Sequence, residues 1–171
     1  VDSAALNRAL HAAASKGCVD VVRYLCELPL KRGVEPGPSN SAALRGGASD
    51  GHLDVVRYLC ELPAARGVKP GDCDNKALVT AVRHGRLSVV RYLCELPLDR
   101  GVNPGAKHSA VLVEAAASLN GLATVQYLCE LPATRGVDPS ARDNKALECA
   151  AAHGHDAADQ RGTLQRSVRQ D

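Results

Sequence analysis

The sequence predicts an all-α fold built as a solenoid of short helical repeats. Three observations carry that reading. The string Val-Val-Arg-Tyr-Leu-Cys-Glu-Leu-Pro occurs at 21–29, 55–63 and 89–97, with a variant, Thr-Val-Gln-Tyr-Leu-Cys-Glu-Leu-Pro, at 124–132. The four Tyr, at 24, 58, 92 and 127, are spaced by 34, 34 and 35 residues, a period typical of stacked two-helix units. Aromatic residues make up only 2% of the 171 residues while hydrophobic residues reach 45%, so the core must be thin layers of Val, Leu, Ala and Cys.

Each unit reads as helix, tight turn, helix and long loop. In the third unit, Asp74 or Asn75 is placed to cap a first helix whose Ala77, Leu78, Ala81 and Val82 share one face. Gly85 is suited to the left-handed residue that ends it. The second helix runs from about Leu87 to Leu96, with Leu87, Val90, Leu93 and Cys94 on one stripe. Pro97 lacks an amide hydrogen and stops it. A loop with Arg-Gly-Val and then Pro follows each copy, as at Arg100, Gly101, Val102 and Pro104. Helices this short are marginal alone and persist only by burying their faces against neighbouring units.

The units fall at approximately 1–36, 37–70, 71–104, 105–139 and 140–160, giving about four full repeats plus a partial C-terminal unit, with a polar tail over 161–171. In the second unit, Gly46 and Gly47 lie inside the first helix and are expected to weaken it by about 1 kcal/mol each. In the fourth, Asn120 stands where Gly85 stands in the third. In the fifth, Asp156 to Gln160 replace the apolar pattern, which suits either a polar cap on the stack or a frayed end. Residues from about 162 onward are expected to lack order unless they form that cap.

The segment Gly51-His52-Leu53-Asp54-Val55-Val56-Arg57-Tyr58-Leu59, echoed at Gly17–Leu25 and Gly85–Leu93, resembles the ankyrin repeat, as does the preceding Ala77, Leu78, Ala81 element. The resemblance covers roughly residues 2–155. It implies antiparallel helix pairs joined by projecting β-turn fingers, and a concave face, made of the fingers and first helices, that binds another protein. The family's Thr-Pro-Leu-His tetrapeptide is replaced by Asn-Lys-Ala-Leu (75–78, 144–147) or Ser-Ala-Ala-Leu (41–44). Pentatricopeptide repeats, which bind single-stranded RNA, share the period and a turn like Gly67-Val68-Lys69-Pro70. Tetratricopeptide repeats share the period too, but their Trp signature is missing.

The remaining signals point away from chemistry. A net charge of +2 with both signs interspersed argues against nucleic acid as the partner. No apolar run approaches the roughly 20 residues that span a bilayer. Cys26, Cys60, Cys94 and Cys129 recur at one position on the second helix. Packed helices lie about 8–10 Å apart, whereas bridged Cys need Cα atoms within about 7 Å. The column is therefore read as small core thiols, and free thiols imply a reducing, intracellular and cytoplasmic setting. Cys149, His153 and His155 form the one ligand-like cluster, read as core and framework residues, so no metal is assigned. His52, His84, His153 and His155 flank the turns and are expected to satisfy turn backbone groups. No nucleophile–base set or phosphate-binding loop occurs, so neither an enzyme nor a cofactor is predicted. The i,i+4 pairs Arg23/Glu27, Arg57/Glu61 and Arg91/Glu95 read as a solvated ladder.

Stacking demands the positions that are identical between units, so specificity belongs to those that differ. These cluster in the loop before the first helix and on that helix's exposed side. The candidate partner-binding residues are Asp72, Asp74, Thr80, Arg83, Lys107, His108, Glu114, Arg142, Asp143 and Glu148. The predicted function is a non-catalytic scaffold that binds another protein, as a monomer or as part of a larger polypeptide. An RNA-binding helical repeat and a structural spacer are the competing readings.

Overall fold

A computed structural model of the chain describes residues 3–29, 42–118, 121–140, 144–146 and 148–149, with the side chains of 64, 107 and 108 left aside. The helices are α1 (Ser3–Ser15), α2 (Val19–Glu27), α3 (Ala42–Asp50), α4 (Leu53–Glu61), α5 (Asp72–Arg83), α6 (Leu87–Glu95), α7 (Ala106–Ala116) and α8 (Leu122–Cys129). They form four helix pairs, and the described residues contain no strand. The odd-numbered first helices pack in a row, α1 on α3 on α5 on α7, and the even-numbered second helices form a parallel row behind them. Residues 144–146 and 148–149 are helical, where the first helix of the fifth unit is expected. The rest of that unit and the tail over 161–171 lie outside the described residues.

The repeated residues build the core. Val56, Leu59 and Cys60 are buried in α4, and Val90, Leu93 and Cys94 occupy the same places in α6. Leu10, Leu44, Leu78 and Leu112 fill the matching position on the first helices. α2, α4 and α6 stop just before their Leu-Pro and α8 stops one residue earlier, and a 3-10 turn follows in units two to four (Ala64–Arg66, Leu98–Arg100, Ala133–Arg135). Gly85 ends α5 with φ +65°, the left-handed conformation expected of it. Asn120, the predicted substitute in the fourth unit, lies outside the described residues.

The glycines of α3 behave differently from the sequence expectation. The helix runs unbroken through both. A Cβ on Gly46 would lie 2.4 Å from Ser15 Oγ, and one on Gly47 would lie 3.1 Å from Val55 Cγ1. Their missing side chains let α1 and α4 close onto α3, so packing offsets a propensity cost of about 1 kcal/mol per Gly.

The predicted cap of α5 is also revised. Cys73, Asp74 and Asn75 all have positive φ (50°, 59° and 59°), so the chain makes a left-handed bend before the regular helix. Asn75 is buried, and its side chain is committed to the next loop rather than to its own helix.

Neighbouring units are stapled by side chains at fixed template positions. Arg66 Nη1 donates to Leu28 O (3.1 Å) and Arg135 Nη1 to Leu96 O (2.9 Å), while Arg100 donates to Cys60 O. Each guanidinium thus reaches back one unit to a carbonyl at the end of a second helix, where helices leave acceptors unpaired. The first helices receive the same treatment from chemically different donors. His52 Nε2 meets Ser15 O at 3.0 Å, Arg86 Nε donates to Ser49 O at 2.9 Å, and Ser118 Oγ reaches Arg83 O at 3.5 Å.

The Arg residues expected to pair with Glu on their own helix instead stack forward. Arg23, Arg57 and Arg91 lie over the rings of Tyr58, Tyr92 and Tyr127, at 5.6, 5.5 and 5.2 Å from the ring centres. Among the described residues the ion pairs are Arg83–Glu114 and Lys145–Glu148. A guanidinium on a ring is worth about 0.5–1 kcal/mol at an exposed site, more than the few tenths of an i,i+4 pair in this orientation.

The loops stack through bare backbone. A Cβ on Gly71 would lie 1.8 Å from Gly101 O, and one on Gly105 would lie 1.9 Å from Gly136 O. Gly105 N donates to Arg135 O at 3.2 Å, a backbone bond between neighbouring loops. Pro70-Gly71 and Pro104-Gly105 therefore need glycine for close approach, not for an unusual dihedral.

Candidate partner-binding face

The variable positions occupy the first-helix row and the loops leading into it. Arg83 closes α5 and Glu114 lies in the last turn of α7, one unit further on. Their side chains form an ion pair across the two helices. Arg83 is more than half exposed, so the pair's contribution to stability is small. Its significance is positional, because it fixes two long side chains at the wall of an open cleft. That cleft, of about 510 Å³, is lined by Arg83, His84, Gly85, Arg86, Glu114 and Ser118. His84 Nδ1 lies 2.9 Å from Thr80 O and Arg86 is anchored on Ser49 O, so both basic side chains are held in place.

A second groove of about 530 Å³ runs between the loops of the second and third units. Lys69, Asp72, Asp99 and Arg100 bring both charge signs to its walls, and Val68 and Pro70 supply an apolar floor. The two depressions sit at opposite ends of α5, one at Asp72 and the other at Arg83. They offer shallow, charged surface with polar anchors rather than an enclosed small-molecule cavity.

The predicted site residues separate into groups. Arg83 and Glu114 come together, and Asp72 joins the loop groove. Asp74 is exposed on the left-handed bend. Thr80 is half-buried and donates to Lys76 O at 2.7 Å, so its hydroxyl is turned to its own helix. Glu148 is exposed and accepts from Lys145 Nζ at 2.9 Å, a bond that raises the lysine's pKa. Lys107 and His108 belong to α7, but their side chains fall outside the description. Arg142 and Asp143 lie outside the described residues.

Sequence reasoning missed His84, Arg86, Asp99, Arg100 and Ser118 as cleft residues. Arg86 had a signal, because it replaces His52 at the position after the turn glycine. Arg100 had none, since it repeats in every unit and reads as framework.

The Cys column carries no reactive thiol. None of the seven Cys is in a disulfide, and Cys26, Cys60 and Cys94 are buried. Burial pushes Cys26 and Cys129 up to about 11, and Cys60 and Cys94 up to about 12. A thiol held protonated is a poor nucleophile and metal ligand. Cys18 and Cys73 are the exposed thiols of the described residues. No group of His, Cys, Asp and Glu among the described residues is arranged to hold a metal ion. No helix among them is long and apolar enough to cross a membrane.

None of the curated proteins matches the chain. The family model of the ankyrin repeat matches residues 7–28, from Asn7 in α1 through α2 to Leu28. The same template then recurs with the same helix pair and the same packing in units two to four. The first unit thus matches the ankyrin repeat, and units two to four repeat its sequence template and helix pair in an all-helical stack.

Proposed function

We propose that the chain is a non-catalytic scaffold that grips another protein through the first-helix row and the loops before it. One observation carries this reading. The exposed first-helix residues are those that differ between units, and two of them, Arg83 and Glu114, meet across units at the edge of an open cleft. Most residues shared by all units lie in the core or staple neighbours together, so recognition falls to the variable ones. The ankyrin match supports a protein partner, since repeats of this family generally mediate protein–protein interaction.

The contact surface comprises Asp72, Asp74, Arg83, Glu114 and the cleft residues His84 and Arg86, extended by Lys107, His108, Arg142, Asp143 and Glu148. Its interspersed charges suit a partner surface with both signs, where complementarity governs specificity and association rate more than raw affinity. The free thiols, with burial holding most of the column protonated, favour a reducing compartment and a cytoplasmic setting.

The test is a charge swap that keeps the fold. Arg83→Glu combined with Glu114→Arg preserves the internal ion pair and inverts the field at the cleft. Proteins captured from host extract by the native chain should be lost with the swapped chain, while the melting temperature stays within about 2 °C. Capture of the same set by both chains would remove this face as the binding surface.

A further inference from the structure

The leading face of the first unit is apolar where the end of a stack should be polar. Val21 is 47% exposed, whereas Val55, Val89 and Thr124 at the same template position are at most 1% exposed. Ala9 is exposed, whereas Ala43, Ala77 and Val111 are buried. Tyr24 is 65% exposed and no guanidinium among the described residues lies over it, whereas Tyr58, Tyr92 and Tyr127 each receive an Arg from the unit before. These positions lie on α1 and α2, the helices whose counterparts in later units pack on the preceding pair. In the later units the preceding helix pair covers this face. The first unit retains the residue types of that interface unchanged, although terminal units normally present a polar outer face.

The boundary between the fourth and fifth units differs. Gln126 stands where Arg23, Arg57 and Arg91 supply the stacking guanidinium. Ser140 stands where Gly71 and Gly105 admit the next loop to within contact of a bare Cα. Ser140 instead turns its hydroxyl and amide onto Asp138 Oδ1, at 2.7 and 2.9 Å. The template interface is thus intact at the leading face and altered at the boundary between the fourth and fifth units.

We propose that the leading face of the first unit is a docking surface for one more two-helix unit of this chain's own template, placed upstream in the same polypeptide. Its occupant brings an Arg at the Arg57 position to cover Tyr24, and an apolar helix pair to cover Ala9 and Val21. The argument is continuity with an interface that the molecule already makes between its successive units. A second copy of the chain fits less well, because past the third unit the template loses both the guanidinium and the glycine that the interface uses, at Gln126 and Ser140.

The experiment places a copy of residues 37–70 directly before Ser3, which preserves the 34-residue register. Four proteins are compared, the native and extended chains, each with and without Val21→Glu. The extended chain should unfold in one transition at a higher temperature than the native chain. Val21→Glu should leave the native chain's melting temperature unchanged and abolish the gain in the extended one. An appended unit that melts separately, or a Val21→Glu effect equal in both backgrounds, would overturn the proposal. So would a dimer of the native chain, seen by sedimentation, that Val21→Glu dissolves, since it would make a second copy the occupant.

Discussion

Asn75 holds Asn103 at both ends of its side-chain amide. Nδ2 donates to Asn103 O at 2.9 Å, and Oδ1 accepts from Asn103 N at 3.1 Å. Ser109 repeats half of this arrangement, its Oγ accepting from Asp138 N at 2.7 Å. A buried polar side chain at the start of one first helix thus sets the height of the next loop. Asn75→Gly keeps the left-handed backbone and removes both bonds, and should cost about 2 kcal/mol at about 1 kcal/mol per bond. Asn75→Ala adds the strain of a positive φ and should cost about 1 kcal/mol more. Urea unfolding of the two variants measures the difference; equal losses would mean that the bend carries no strain.

Gly71→Ala should be among the most destabilising single changes in the loops. The added methyl would overlap the Gly101 carbonyl, which is backbone and cannot rotate aside. Overpacking of this kind costs about 1–3 kcal/mol, and a backbone obstacle places it at the upper end. Gly105→Ala should behave alike, whereas Ser140→Gly should cost little beyond its bonds to Asp138. Thermal melts of the three variants separate loop stacking from general loop sensitivity.

Arg57 and Tyr92 should show a coupling energy of about 0.5–1 kcal/mol in a double-mutant cycle with Arg57→Ala and Tyr92→Leu. Arg57 and Glu61 should show almost none. The reverse result would restore the ion-pair ladder on the second helices.

Stability should fall on the alkaline side. Burial pushes the folded thiols of Cys26, Cys60, Cys94 and Cys129 up to about 11–12 from an ordinary value of 9.0. Tyr127 is likewise pushed up to about 12 by burial, with the nearby Arg91 opposing it. Unfolding lets these groups ionise sooner, so the unfolded state releases protons first. The contribution is fully present below about pH 9 and is lost between there and about pH 12. Denaturation midpoints from pH 8 to 11 should drop, and Cys94→Ala should flatten the slope. In native buffer a thiol reagent should label Cys18 and Cys73 rapidly, and Cys26, Cys60 and Cys94 only on unfolding.

The second helices, their Leu-Pro stops and the buried Cys column were legible because one template repeats, and repetition reports what stacking requires. The bridges between units were not. Arg66 to Leu28, His52 to Ser15 and Asn75 to Asn103 join residues 38, 37 and 28 positions apart, and neither partner looks special in its local string. Asn75 reads as a helix cap because Asn before an apolar run is one in most contexts. Gly46 and Gly47 read as weaknesses because propensity is a local quantity, while the space they vacate belongs to Ser15 and Val55. For the candidate face, variation between units pointed to Arg83 and Glu114 separately. Their pairing depends on the offset between α5 and α7, which only packing determines.

Among the described residues the extensive helix contacts run within each pair and between adjacent pairs, α1 with α3, α2 with α4, and so on along the row. No contact of that extent among the described residues ties the first pair to the fourth. A pull on the two ends would therefore load the junctions in series, so the weakest yields first and the rest remain intact. Such an array gives way under tension in steps, lengthening by one unit at a time, and recovers by refolding each unit against the neighbour still standing.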